Sequence, residues 1–79
     1  MTKEEWWKAA VKVGGLLREN LNNPVGLPIA KQYMAVRKVL FPNDNHHPPS
    51  DEKGSTLQQN LQGWTRDVER GVYDNRFST

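Results

Sequence analysis

Apolar residues recur along this chain at helical spacing. At 100° per residue, Trp6, Ala10, Val13, Leu17 and Leu21 fall on one stripe, with Ala9 and Leu16 on one flank and Trp7 and Val11 on the other. Thr2 and Glu5, three residues apart, have the form of a capping box, in which each residue satisfies a free amide of the first turn. The two signals predict a first helix over residues 3–20. Its polar face (Glu4, Lys8, Lys12, Glu19) is confined to roughly 100° of arc, too narrow for a helix with a single neighbour. Gly14-Gly15 within it costs about 1 kcal/mol per glycine relative to alanine, which points to a close helix crossing or a kink.

The break that follows, Asn22 to Gly26, reads as a type I turn with Asn first, Pro second and Gly fourth. A second helix is predicted over 28–40, opened by Pro28 and stopped by Pro42. Ile29, Tyr33, Val36 and Leu40 form its stripe, widened by Ala30, Met34, Val39 and Phe41. Residues 42–54 make a loop of thirteen residues with three prolines, and loops that long are commonly functional or mobile. Ser55 and Gln58 suggest a second capping box, opening a third helix over 55–70. The stripe of that helix, Leu57, Leu61, Trp64 and Val68, is narrow and fit for one groove, and Gly71 supplies a C-terminal stop. The tail, 72–79, carries Tyr73 and Phe77 and either folds back as a cover or hangs free as a docking segment. The expected fold is therefore all-α: one domain, 1–79, forming a small three-helix bundle with a long Pro-containing loop and a short tail, and no sheet.

A chain of 79 residues buries only about 60% of the surface its unfolded form exposes. Small folds usually compensate with disulfides, a metal or a partner. The absence of cysteine excludes disulfides, thiolate metal sites and a cysteine nucleophile together. Good helix packing, a partner protein or self-association remains. No apolar run approaches the roughly 20 residues that cross a bilayer, and Met1 to Glu5 lacks the basic-then-apolar order of a signal peptide. The expectation is a cytoplasmic protein with no membrane partner.

Net charge is +2, unevenly spread. Residues 1–40 hold seven Lys/Arg against three acids, giving +4, whereas residues 41–79 hold four against six, giving −2. A basic first half can steer the chain toward an acidic partner. All three charges of the second helix, Lys31, Arg37 and Lys38, are basic.

Specific chemistry is sparse. His46-His47-Pro48-Pro49, flanked by Asp44 and Asp51, holds the only imidazoles. Adjacent histidines rarely point to one centre, and no His has a second ligand at i+4 on a helix, so no metal or other cofactor is expected. Catalysis needs a nucleophile with a base and an orienting group, and the chain shows no such set, no phosphate loop and no hydrolase motif. It reads as a non-enzyme.

Two binding readings are left. Lys31, Arg37 and Lys38 could contact phosphates, with Gln58, Gln59, Asn60, Gln62 and Arg66 of the third helix able to read base edges. Asp67 and Glu69 oppose that approach, and the breaks between helices exceed those of a helix-turn-helix. The preferred reading is a protein-binding module, an inhibitor, adaptor or assembly component of a larger machine, in the size class of small bacterial and phage accessory proteins. Trp6 and Trp7 diverge by about 100° on a helix, which puts Trp6 in the core and Trp7 at its margin. Tryptophan, tyrosine and arginine are enriched at interfaces. The expected contact residues are therefore Trp7, Val11, Lys31, Arg37, Lys38, Tyr73, Arg76 and Phe77.

Overall fold

The computed structural model describes residues 1–78 and contains three helices, α1 (Lys3–Arg18), α2 (Leu27–Leu40) and α3 (Gly54–Glu69), followed by one 3-10 turn at Asp74–Arg76. No strand occurs among the described residues; a single antiparallel bridge joins Pro24 and Lys53. The predicted three-helix architecture is the one observed.

Helix α1 is the centre of the molecule. Both α2 and α3 pack along it, while α2 and α3 make few contacts with each other. The wide apolar face of α1 is what permits two neighbours, and Trp6, Ala10, Val13 and Leu17 are all buried. Ala30, Tyr33, Val36 and Leu40 from α2, and Leu57, Leu61 and Val68 from α3, complete the core with Val25 from the connection. Trp6 is fully buried, and its indole N–H donates to the Val36 carbonyl at 3.0 Å. That bond gives the one polar atom of the ring a partner inside apolar surroundings and ties α1 to α2.

The N-terminal capping box forms as expected. The Glu5 N–H donates to the Thr2 hydroxyl, and the Thr2 N–H donates to the Glu5 carboxylate, both at 3.1 Å. The Thr2 main-chain bond, then the Thr2 hydroxyl, hold the Glu5 carboxyl below its ordinary range. α1 ends at Arg18, two residues earlier than its apolar stripe suggests. There the chain tightens, with the Asn20 N–H donating to the Leu17 carbonyl at 2.9 Å and the Asn20 side chain donating to the Leu16 carbonyl at 2.9 Å.

Two local expectations are corrected. Residues 23–26 do not close a type I turn; the chain turns earlier, around residues 19–22, and then runs extended so that the Val25 N–H reaches the Glu52 carbonyl at 2.8 Å. The second capping box does not form either. α3 starts at Gly54 with no side-chain cap, and its first donors are satisfied by main-chain carbonyls at the end of α1. Gly54 N–H donates to Asn20 at 3.1 Å and to Asn23 at 3.3 Å, and Ser55 N–H donates to Leu21 at 3.1 Å. Orphan carbonyls after one helix thereby meet orphan amides before another.

This junction is possible only because residue 54 has no side chain. A Cβ there would lie 2.4 Å from the Asn20 carbonyl oxygen and 2.7 Å from that of Leu17. The glycine pair inside α1 is different. A Cβ on Gly14 would meet Leu61 at an ordinary 3.6 Å, and one on Gly15 would meet nothing. The close approach that Gly14-Gly15 suggests is therefore made at Gly54, between helix ends.

At its C-terminus α3 closes with a Schellman motif. The Gly71 N–H donates to Val68 and the Val72 N–H to Asp67, at 3.1 and 3.0 Å, with Gly71 at φ +84°. The tail then folds back. Tyr73 meets Phe41 edge to face at 5.6 Å, and Phe77 meets Trp6 likewise at 6.1 Å. Asp74 pairs with Lys3 at 2.9 Å, and the Ser78 N–H donates to the Met1 carbonyl at 3.0 Å. The covering role, one of the two open for this segment, is the one adopted through Ser78; Thr79 lies outside the described residues.

A Gly54→Ala substitution is expected to lower stability by about 2–4 kcal/mol, combining steric overlap with weakened main-chain hydrogen bonds at the junction. Gly15→Ala is expected to raise it by up to about 1 kcal/mol, as for a helix interior with open space. Urea unfolding of both variants checks the pair, and equal effects would refute the junction's role.

Candidate functional site

Tyr33 and Arg37, spaced i, i+4, share one face of α2, and Phe41, the next residue after the helix, lines the same cleft. Leu57, Asn60 and Trp64, at i, i+3, i+7, share one face of α3. Because the two helices are packed on α1 rather than on each other, these faces line a cleft of about 650 Å³, walled on its open side by the loop residues His46 to Pro49 and by Asp51 and Glu52. Only large side chains bridge the gap. The Tyr33 and Trp64 rings lie 5.1 Å apart, Phe41 meets Trp64 edge to face at 6.0 Å, and the Asn60 amide donates to the Tyr33 hydroxyl at 3.4 Å.

Tyr33 is buried, and that burial raises its phenol above the ordinary value against the opposing effects of the Asn60 hydrogen bond and the Arg37 charge; the Glu52 charge raises it slightly further. It therefore stays neutral at physiological pH. Trp64 and Phe41 are half-buried and keep part of their surface open to the cleft.

The loop wall is pinned at both ends. Near its start the Asp44 carboxylate accepts from the Arg37 guanidinium and from the His46 main-chain N–H, the latter at 3.2 Å. Arg37 also lies over the Phe41 ring, 5.8 Å from its centroid, a cation–π geometry. Near its end the loop is held by the Val25–Glu52 main-chain bond. Between these anchors Pro48 and Pro49 are half-buried and the two imidazoles are exposed.

The contact residues expected from the sequence do not form one surface. Trp7 is half-buried against the core, its ring 6.2 Å from that of Trp6. Val11 is 63% exposed on α1, at the rim of a shallow groove shared with α3. Lys31 and Lys38 are exposed and flank a groove on the outer side of α2 with Asp44 and His46. Arg37 is turned away from them into its pair with Asp44, with only 18% of its side chain exposed. Tyr73 and Phe77 give one face each to the core edge, and Arg76 is exposed beside the start of the loop. The basic surface expected on α2 thus reduces to two lysines.

The cleft itself was missed. Its signal was present in the spacing of Tyr33, Arg37 and Phe41, but the two aromatic residues read equally well as core, and nothing in the spacing of His46 to Pro49 ties that loop to them. Comparison with protein-family models, curated proteins and solved structures finds no match to the chain.

Arg37→Ala is expected to lower stability by about 1–2 kcal/mol, between the values for exposed and buried pairs, because it strands the Asp44 carboxylate in a partly buried position. Asp44→Ala should cost a similar amount, and the double variant should cost less than the sum of the two. Strict additivity in denaturant unfolding would show that the pair does not anchor the loop.

Proposed function

We propose that the protein is a non-enzymatic protein-binding module whose contact surface is the cleft between α2 and α3. The observation that carries this reading is the aromatic set Tyr33, Phe41 and Trp64, which lines an open cleft of about 650 Å³ that the chain's own loop walls but does not fill. Interfaces draw most of their energy from a few aromatic and arginine side chains in pockets, and ligand sites are concave and mainly apolar with a few placed polar groups. The cleft joins the two parts: three aromatic rings, Leu57 and Met34 on one side, and a polar rim of Arg37, Asn60, the two imidazoles, Asp51 and Glu52 on the other. The role is that of an adaptor, inhibitor or assembly component that captures a segment of a larger protein.

The nucleic-acid reading has less behind it. Phosphate binding scales with the number of free cations that reach the backbone. Of the three cations on α2, Arg37 is paired with Asp44, which leaves Lys31 and Lys38.

The two readings separate in an affinity capture from native extract, run with and without nuclease. The module reading predicts a protein partner that survives nuclease and is weakened about 30-fold or more by Trp64→Leu, in line with about 2 kcal/mol for an anchoring tryptophan. Lys31→Ala/Lys38→Ala should leave capture within a few-fold of wild type. Far-ultraviolet circular dichroism verifies that Trp64→Leu is folded. Capture that is lost to nuclease and to the lysine changes, yet kept by Trp64→Leu, would overturn the reading in favour of nucleic acid.

A further inference from the structure

The charge at the mouth of the cleft is opposite in sign to that of the chain. The protein carries +2 overall, but the cleft's one arginine is neutralised by Asp44, and the two remaining charged residues that line it are Asp51 and Glu52. Neither of these carboxylates forms an ion pair among the described residues. Both are exposed, and their backbone is fixed by the main-chain bond from Val25 to Glu52. The half-buried rings of Phe41 and Trp64 line the same cleft, and the negative faces of aromatic rings attract cations. The cleft already holds one cation in this way, since Arg37 sits over Phe41 at 5.8 Å.

We infer that the segment captured in the α2–α3 cleft is basic, an extended stretch of a partner protein that sets a lysine or arginine side chain between the aromatic floor and the Asp51 and Glu52 carboxylates, with an apolar neighbour against the half-buried Met34. The inference rests on the reading of the cleft as a protein-binding surface and adds the chemistry of the occupant. An aromatic floor alone accepts any apolar side chain. The unpaired carboxylates above it select for positive charge and repel an acidic segment, since a like charge placed beside them has no compensating partner. The long alkyl stem of lysine or arginine also suits the site, because it packs on apolar surface while its charged end stays at the rim.

Three hexapeptides separate the possibilities: alternating lysine and leucine, alternating glutamate and leucine, and alternating serine and leucine. Each is titrated into the ¹⁵N-labelled full chain and followed by the Trp64 indole and the amides of residues 44–60. The lysine peptide is expected to shift these signals and to bind about tenfold tighter than the serine peptide, with the glutamate peptide weakest. Added salt should remove most of that advantage. Asp51→Asn/Glu52→Gln, which changes only exposed side chains, should bring the lysine peptide down to the serine level. Equal binding of all three peptides in the cleft would overturn the inference and leave the binding surface standing. A lysine peptide that binds outside the cleft, or whose affinity is untouched by the double substitution, would also overturn it. If none of the three moves the cleft signals, the inference and the reading beneath it fall together.

Discussion

The donors at the start of α3 are satisfied by the chain that ends α1. Asn20, Leu21 and Asn23 offer carbonyls, and Gly54 and Ser55 offer amides, so two helix ends that each need partners supply one another. The contact is main chain to main chain and tolerates no Cβ, which sets the distance between the helices and the position of the first turn of α3 along α1. With that turn placed, Leu57, Leu61 and Val68 face α1 and are buried. The extended connection through Val25 belongs to the same junction, because its N–H holds Glu52 and so ends the long loop at a defined point.

A consequence is that α2 and α3 are positioned independently, each against α1. α2 is held by the buried Trp6 indole and the stripe from Ala30 to Leu40, α3 by the Gly54 junction and its own narrower stripe. Nothing requires the two to meet closely, and the gap between them is spanned by rings instead of backbone. The cleft is thus a by-product of a bundle with one central helix, and its aromatic lining gives a small core extra buried surface. The rings of Phe41 and Trp64 remain partly open, so residues that stabilise the bundle also line the cleft.

The helices and their core faces were legible because periodicity is a local signal: thirteen to eighteen residues suffice to read a stripe, and Trp6, Tyr33 and Leu57 fell on theirs. The Thr2–Glu5 box was legible for the same reason. What escaped the sequence is non-local. Ser55 and Gln58 have the spacing of a cap, yet carbonyls more than thirty residues earlier in the chain took that role, and no pattern near Gly54 reveals it. Helical angle separates Arg37, at the edge of the apolar stripe, from the face that Lys31 and Lys38 share, but its pairing with Asp44, seven residues on and past a proline, is not a local signal. Trp7 was correctly separated from Trp6 by helical angle, but an angle does not tell whether a margin is covered, and Trp64, placed on the core stripe, proved to be half open to the cleft.

Main-chain amides that join two helix ends report directly on whether the junction holds the fold together. Denaturant-dependent hydrogen exchange of the Gly54 and Ser55 amides, followed by nuclear magnetic resonance, measures the free energy of opening at that point. If the junction is the constraint on which the bundle depends, both amides exchange only through global unfolding, with the same opening energy and denaturant slope as amides in the middle of α1 and α3. Exchange of Gly54 and Ser55 at low denaturant by a local opening, while the interior of α1 and α3 stays protected, would contradict it.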